Sequence, residues 1–290
     1  MKNKRILSLL LALAVFVSLA VPAFAAEGER VVIGADLNDE QIQTVYKLFG
    51  IERGSVTELK VTNAEERAYL EGLVEESVIG KYAISCVYVQ LLGEGSGLTV
   101  ETHNITWCTA EMYQNALITA GVKDAKIVVA SPFEVSGTAA LTGIYKAYES
   151  ITGNKLDEAA KAAGIRELTV TGEIAEEVGD NDAAGIVSGV KQVFSDASKM
   201  SDEELRREII SIAGKYNVTL SDSQIQQLID LCRTLEKLDP SELKSRVEEA
   251  QETIHRIEEA KDKAVSFYEK FKIFLGDAAD FLDRVKSWFN

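Results

Sequence analysis

Lys126-Ile127-Val128-Val129-Ala130-Ser131-Pro132-Phe133-Glu134-Val135-Ser136-Gly137-Thr138 is the stretch on which the fold turns. Lys126 to Ala130 carries a short continuous apolar run, the mark of a strand buried on both faces. Pro132 lacks an N–H for a sheet ladder and fixes a turn. Ser136-Gly137-Thr138 then opens a helix to about Ser150, with apolar residues at helical spacing. A buried strand that hands the chain to a helix predicts a sheet with helices packed against it.

Upstream, strand-like and helix-like segments alternate. Val31 to Ala35 reads as a strand, Asp39 to Phe49 as a helix, Ser55 to Val61 as a second strand and Ala64 to Val74 as a helix. Tyr82 to Leu92 and Leu98 to Trp107 are rich in β-branched and aromatic residues and flank Gly93-Glu94-Gly95-Ser96-Gly97, a pattern that predicts an antiparallel hairpin. Ala110 to Ala120 reads as a helix that Gly121 closes with a left-handed cap.

Past Gly153 the pattern is helical. Leu156 to Ala163, Ile174 to Val178, Ala183 to Phe194, Glu203 to Tyr216 and Ser223 to Leu238 read as helices, and a long one starts at Pro240. Asn38, Ser201, Ser221 and Asp239 each stand three residues before Gln or Glu, between an apolar pair, which predicts a capping box with a hydrophobic staple. From Leu243 an apolar seam steps by threes and fours through Val247, Ala250, Ile254 and Ile257 to Trp288. Unbroken, this helix would run about 75 Å; Gly276 is a natural break. The seam can fold back on its own domain, bind a partner helix or lie on a membrane, and its balanced charges disfavour the last. The sum is an α+β chain: an N-terminal mixed-sheet sandwich over 26–152, then an all-helical region over 153–290 ending in a long helix.

Residues 1–25 read as a cleavable signal peptide. Lys2, Lys4 and Arg5 precede an apolar run from Ile6 to Ala20, and Val21-Pro22-Ala23-Phe24-Ala25 supplies the peptidase site. The run is short for a spanning helix, so the expected product is exported and does not span a membrane. Losing those three cations takes the formal charge from −15 to −18. Such a surface repels nucleic acid and leaves anionic wall polymers reachable only through divalent cations. An apolar share of 46% fills a core, which excludes disorder.

Cofactor and metal signatures are missing. No phosphate loop, dinucleotide fingerprint or nucleophile elbow occurs, and His103 and His255 have no partner at zinc-ligand spacing. Asp180-Asn181-Asp182 lacks the other positions of a calcium loop. The candidate binding residues are Ser131, Ser136, Gly137 and Thr138, because free N–H groups and small hydroxyls at a helix N-terminus can hold an anion or a carbonyl. The same residues also read as a Ser136 N-cap with Gly137 allowing close packing. Cys86 and Cys108 flank the hairpin as a candidate disulfide. A turn centred on Gly95 sets Cys86 opposite Asn104 and Cys108 about two residue pairs along, beyond the roughly 7 Å Cα reach of a bridge. Cys232 shares an apolar helical face and reads as a buried thiol.

The chain resembles the YpuA-like secreted proteins of Gram-positive, Firmicutes-type bacteria, domain of unknown function one thousand and two. The resemblance rests on Gly34-Ala35-Asp36-Leu37, Val61-Thr62-Asn63-Ala64-Glu65-Glu66, Ala83-Ile84-Ser85, Gly95-Ser96-Gly97-Leu98, Asn104-Ile105-Thr106, the stretch Met112 to Ala125, and Pro132 to Gly143. It spans most of the α/β half and is looser around Tyr216 to Ile225. It implies an envelope-side protein and brings no catalytic residues. Cys86 and Cys108 depart from the family pattern, so a bridge between them would be particular to this chain.

These readings converge on a non-enzymatic extracytoplasmic binding or scaffold protein of the cell envelope, with an envelope protein or helical partner expected at 240–290. A hydrolase using hydroxyls of 131–142 and a carboxylate such as Glu134 is the alternative, and a cation-dependent wall binder the third.

Overall fold

The computed structural model describes residues 28–192, 200–239 and 241–252. The signal segment, the seam beyond residue 252 and His255 lie outside the described residues.

Five strands form one mixed sheet: β1 (Glu29–Gly34), β2 (Thr57–Val61), β3 (Cys86–Leu91), β4 (Leu98–Ile105) and β5 (Ala125–Val135). The order is β2-β1-β3-β5-β4, with β1 parallel to β2, antiparallel to β3, and β5 antiparallel to β3 but parallel to β4. Side chains alternate across the sheet as period two requires. Val31, Ile33, Cys86, Tyr88, Val128 and Ala130 face α1 (Asp39–Phe49), which answers with Ile42, Val45, Tyr46 and Phe49. Val32, Val87, Val89, Ile127 and Val129 belong to the larger core on the other side.

The predicted hairpin does not form. β5 lies between β3 and β4, so Tyr82–Leu92 and Leu98–Trp107 are not neighbours. Residues 92–97 bridge two strand spacings, about 9.6 Å, where a tight turn would join strands one spacing apart. The composition explains the order. β4 carries Thr99, Glu101, Thr102 and His103 and takes the edge, where polar side chains meet water. β5 carries Ile127 to Ala130, fully buried, and takes an interior place.

The larger core continues into the helical half. α5 (Thr138–Thr152) lies on β1 and β3, and α4 (Ala110–Ala120) packs on α6 (Glu158–Val178). Two helices predicted at Leu156 to Ala163 and Ile174 to Val178 are one of 21 residues. Weak helix formers between them are carried by packing. Thr169 and Thr171 donate to Ile165 O and Glu167 O one turn back, and Gly164 lets α6 approach α4 so closely that a Cβ would stand 2.4 Å from Ala116 O. α7 (Asp180–Gln192), α8 (Asp202–Lys215) and α9 (Asp222–Leu235) complete the bundle. Residues 241–252 are helical. Their seam residues Leu243 and Val247 are buried in the chain's own core, and Arg246 donates to Thr119 O. Among the described residues no helix is long and apolar enough to cross a membrane.

Candidate functional site

Pro132 does not turn the chain as expected: β5 runs through it from Ala125 to Val135, and a register shift against β4 builds the site instead. His103 pairs with Ala130 and Ile105 with Val135, so one residue of β4, Asn104, stands opposite four of β5. Asn104 takes a left-handed backbone and its side chain holds Ser131 O at 2.8 Å. The extra residues carry Ser136 and Gly137 to the segment between two short helices, α2 (Asn63–Leu70) and α3 (Glu76–Ile79), and the next strand. Three carbonyls in a row are then pinned. Val135 O accepts from Thr106 N, Ser136 O from Cys108 N, and Gly137 O from the Tyr113 hydroxyl at 2.5 Å. Gly137 sits at φ 99°, and a Cβ there would meet Ile105 and Tyr113 at 2.5 and 2.6 Å. Only glycine fits.

α5 therefore begins with Gly137 as N-cap and without a side-chain cap. The Ser136 hydroxyl, expected to cap it, donates instead to Val78 O at 2.7 Å. The carboxylate at this turn comes from α2. Glu66 Oε1 accepts from Thr138 Oγ1 at 2.6 Å, and Glu66 Oε2 from Asn63 Nδ2 at 3.0 Å. Glu66 is 1% exposed. Burial pushes its carboxyl above the ordinary range, and the two neutral donors and the nearby Arg67 charge offset this only in part. Arg67 itself is committed elsewhere: it forks onto Glu76 at 2.9 and 2.8 Å and donates to Gly80 O, which fixes the segment carrying Val78.

These groups enclose a cleft of about 210 Å³. Glu66, Ser77, Ser85, Ser136 and Thr138 give it polar walls, and Lys81 and Tyr82 also line it, with Tyr82 66% exposed. Of the four candidate binding residues, Ser136, Gly137 and Thr138 line this cleft and Ser131 does not. Ser131 is fully buried and its hydroxyl finds no partner among the described residues. Glu134 is exposed and outside the cleft. Sequence reasoning missed Glu66; its only signal is an acidic residue one turn into a short amphipathic helix, which usually means solvent.

Cys86 and Cys108 do not pair. Both are free and buried, Cys86 on the α1 face of the sheet and Cys108 in the larger core. The two cores lie on opposite faces of the sheet. Burial pushes each thiol up to about 12, and Cys232 likewise, so none is poised as a nucleophile. A second buried polar cluster sits between α4, α6 and α7. Lys191 Nζ stands 2.8 Å from Glu167 Oε1, and Thr119 donates to Glu167 Oε2 at 2.5 Å. Among the described residues no group of His, Cys, Asp and Glu could hold a metal ion.

Comparison with known proteins gives two matches. A family model described as a protein of unknown function (DUF1002) matches residues 33–253, which include the whole cleft. The chain is 38% identical over 252 residues to the "Uncharacterized protein YpuA" of Bacillus subtilis (strain 168), covering 86% of each chain. No solved structure matches.

Proposed function

The chain belongs to the DUF1002 family of proteins of unknown function, and from that premise we propose that it is an exported binding protein of the cell envelope whose ligand site is the Glu66–Thr138 cleft. The observation that carries this reading is the fixed turn at its centre. Successive carbonyls at 135, 136 and 137 are held by three separate donors, and Gly137 admits no side chain. A backbone locked this way is pre-organised, which lowers the ordering cost of binding a small polar molecule.

Geometry favours binding over hydrolysis. A serine nucleophile needs a base within hydrogen-bond reach. The hydrogen of Ser136 goes to a backbone carbonyl, and the hydrogen of Thr138 to a carboxylate whose charge burial disfavours. Both hydroxyls act as walls. Export is supported by the charged start, apolar run and small-residue cleavage site of residues 1–25, and a Bacillus relative fits a Gram-positive setting.

Thermal-shift screening of the purified chain against pools of small polar metabolites tests the binding reading. A pool that raises the melting temperature of the native chain and not of Thr138→Val supports it. No shift from any pool, or mass-spectrometric turnover of a hit, overturns it. Export is tested separately by sequencing the N-terminus of protein recovered outside the cell, expected at Ala26.

A further inference from the structure

Three hydroxyls of the cleft have already given away their hydrogens. A hydroxyl has one hydrogen and two lone pairs. Ser136 gives its hydrogen to Val78 O, Thr138 to Glu66 Oε1, and Ser77 to Glu75 Oε2. The 3.3 Å contact between Ser136 and Thr138 is the longer alternative for both. Each therefore turns lone pairs toward the cleft. Glu66, when ionised, has about four acceptor sites, of which two are filled by neutral donors. Among the described residues no lysine or arginine forms an ion pair with it. The Glu66 side of the cleft thus offers hydroxyl lone pairs and a carboxyl group that only neutral donors touch among the described residues.

A ligand that fits such a wall brings several donors and a positive charge. An ammonium offers three donors and no acceptor, and a buried carboxylate is satisfied best by a charged hydrogen-bonding partner. A sugar hydroxyl supplies one donor and leaves the charge uncompensated. An anion seated on that side meets the Glu66 carboxylate. The opposite charge stands in the same lining. Lys81 is exposed and makes no ion pair or hydrogen bond among the described residues. Tyr82 beside it offers an aromatic face for the ligand's carbon skeleton.

The geometry points to a small zwitterion, an amino acid or short peptide, whose ammonium seats against Glu66, Ser136 and Thr138 and whose carboxylate faces Lys81. This assignment rests on the binding reading above and narrows it to one ligand class. A space of about 210 Å³ suits it; roughly 150 Å³ already holds a benzene-sized molecule.

Isothermal titration of the purified full chain with five probes tests it: alanine, alanyl-alanine, N-acetylalanine, propylamine and glucose. Alanine or alanyl-alanine binds, and N-acetylalanine binds at least about tenfold more weakly, the loss expected when a charged hydrogen bond is removed. Glu66→Gln weakens the amine ligands by a similar factor. Lys81→Met weakens alanyl-alanine and leaves propylamine unchanged. The acetylation comparison uses the native chain and stands even if Glu66→Gln fails to fold. Equal binding of alanine and N-acetylalanine, or binding of glucose alone, overturns the zwitterion and leaves the binding reading intact. Failure of all five probes overturns the zwitterion, and a blank thermal-shift screen as well would overturn both.

Discussion

Thr138 donates its hydroxyl hydrogen to Glu66 Oε1 at 2.6 Å from the first turn of α5. The contact joins residues 72 apart. It sets a carboxyl group beside a helix start whose own cap is a glycine, where the helix dipole favours negative charge, without bonding the helix N–H groups.

Thr138→Val keeps the shape and removes the donor. Both partners are buried, so the change costs about 1–3 kcal/mol in urea unfolding at neutral pH. The cost is smaller in acid. Glu66 binds its proton more readily folded than unfolded, so its contribution to stability is complete below the ordinary glutamate range and is lost as pH rises through its raised folded value. The variant removes a bond that favours the ionised form, which extends that loss to higher pH. Unfolding curves at about pH 4 and pH 7 read the difference; equal costs at both would mean that the Thr138 bond does not favour the ionised form of Glu66.

Gly137→Ala tests whether the turn is as tight as its neighbours imply. The new Cβ would press on Ile105 and Tyr113 at a left-handed φ of 99°. A loss of at least about 2 kcal/mol is expected, from strain and overpacking together. Gly153, which is also left-handed but has nothing within 4 Å of a Cβ, is the control. Gly153→Ala should cost only about 1 kcal/mol.

Lys191→Met strands Glu167, which is fully buried, and should cost about 3–5 kcal/mol. Burial already raises the Glu167 carboxyl, with Lys191 the main offset. Adding Glu167→Leu removes the stranded charge, and the double variant should recover much of the loss. A double-mutant cycle reads the coupling. Additive single losses would mean that the pair does not act as a unit.

The parts of the fold legible in the sequence were local ones. The capping boxes at Asn38, Ser201 and Ser221 form as their spacing requires, Asp239 caps the helical stretch after it, and Gly121 closes α4 in the left-handed conformation. Strand order was not legible in the spacing that predicted a hairpin, because period two and a glycine loop say that two strands are near in sequence, not adjacent in the sheet. The polar face of β4 and the apolar run of β5 did carry the order, in the contrast between edge and interior. Half of the site was legible. The Ser136-Gly137-Thr138 turn stood out by residue type, whereas Glu66 was brought to it by tertiary packing across 72 residues, and nothing in its own helix distinguishes it from an exposed glutamate.

The three cysteines separate a buried-thiol chain from a bridged one. Cys86 and Cys108 sit in different cores, and Cys232 is in the helical half, all fully buried. Burial holds the thiolate form back in each, and alkylation needs both the thiolate and access. Iodoacetamide on the native chain should therefore add no mass within minutes at neutral pH. The same chain unfolded in urea without reductant should take three additions. Two fewer would reveal a disulfide, and the packing that buries Cys86 and Cys108 in separate cores would then be wrong, because a bridge tolerates only a short separation of the two backbones.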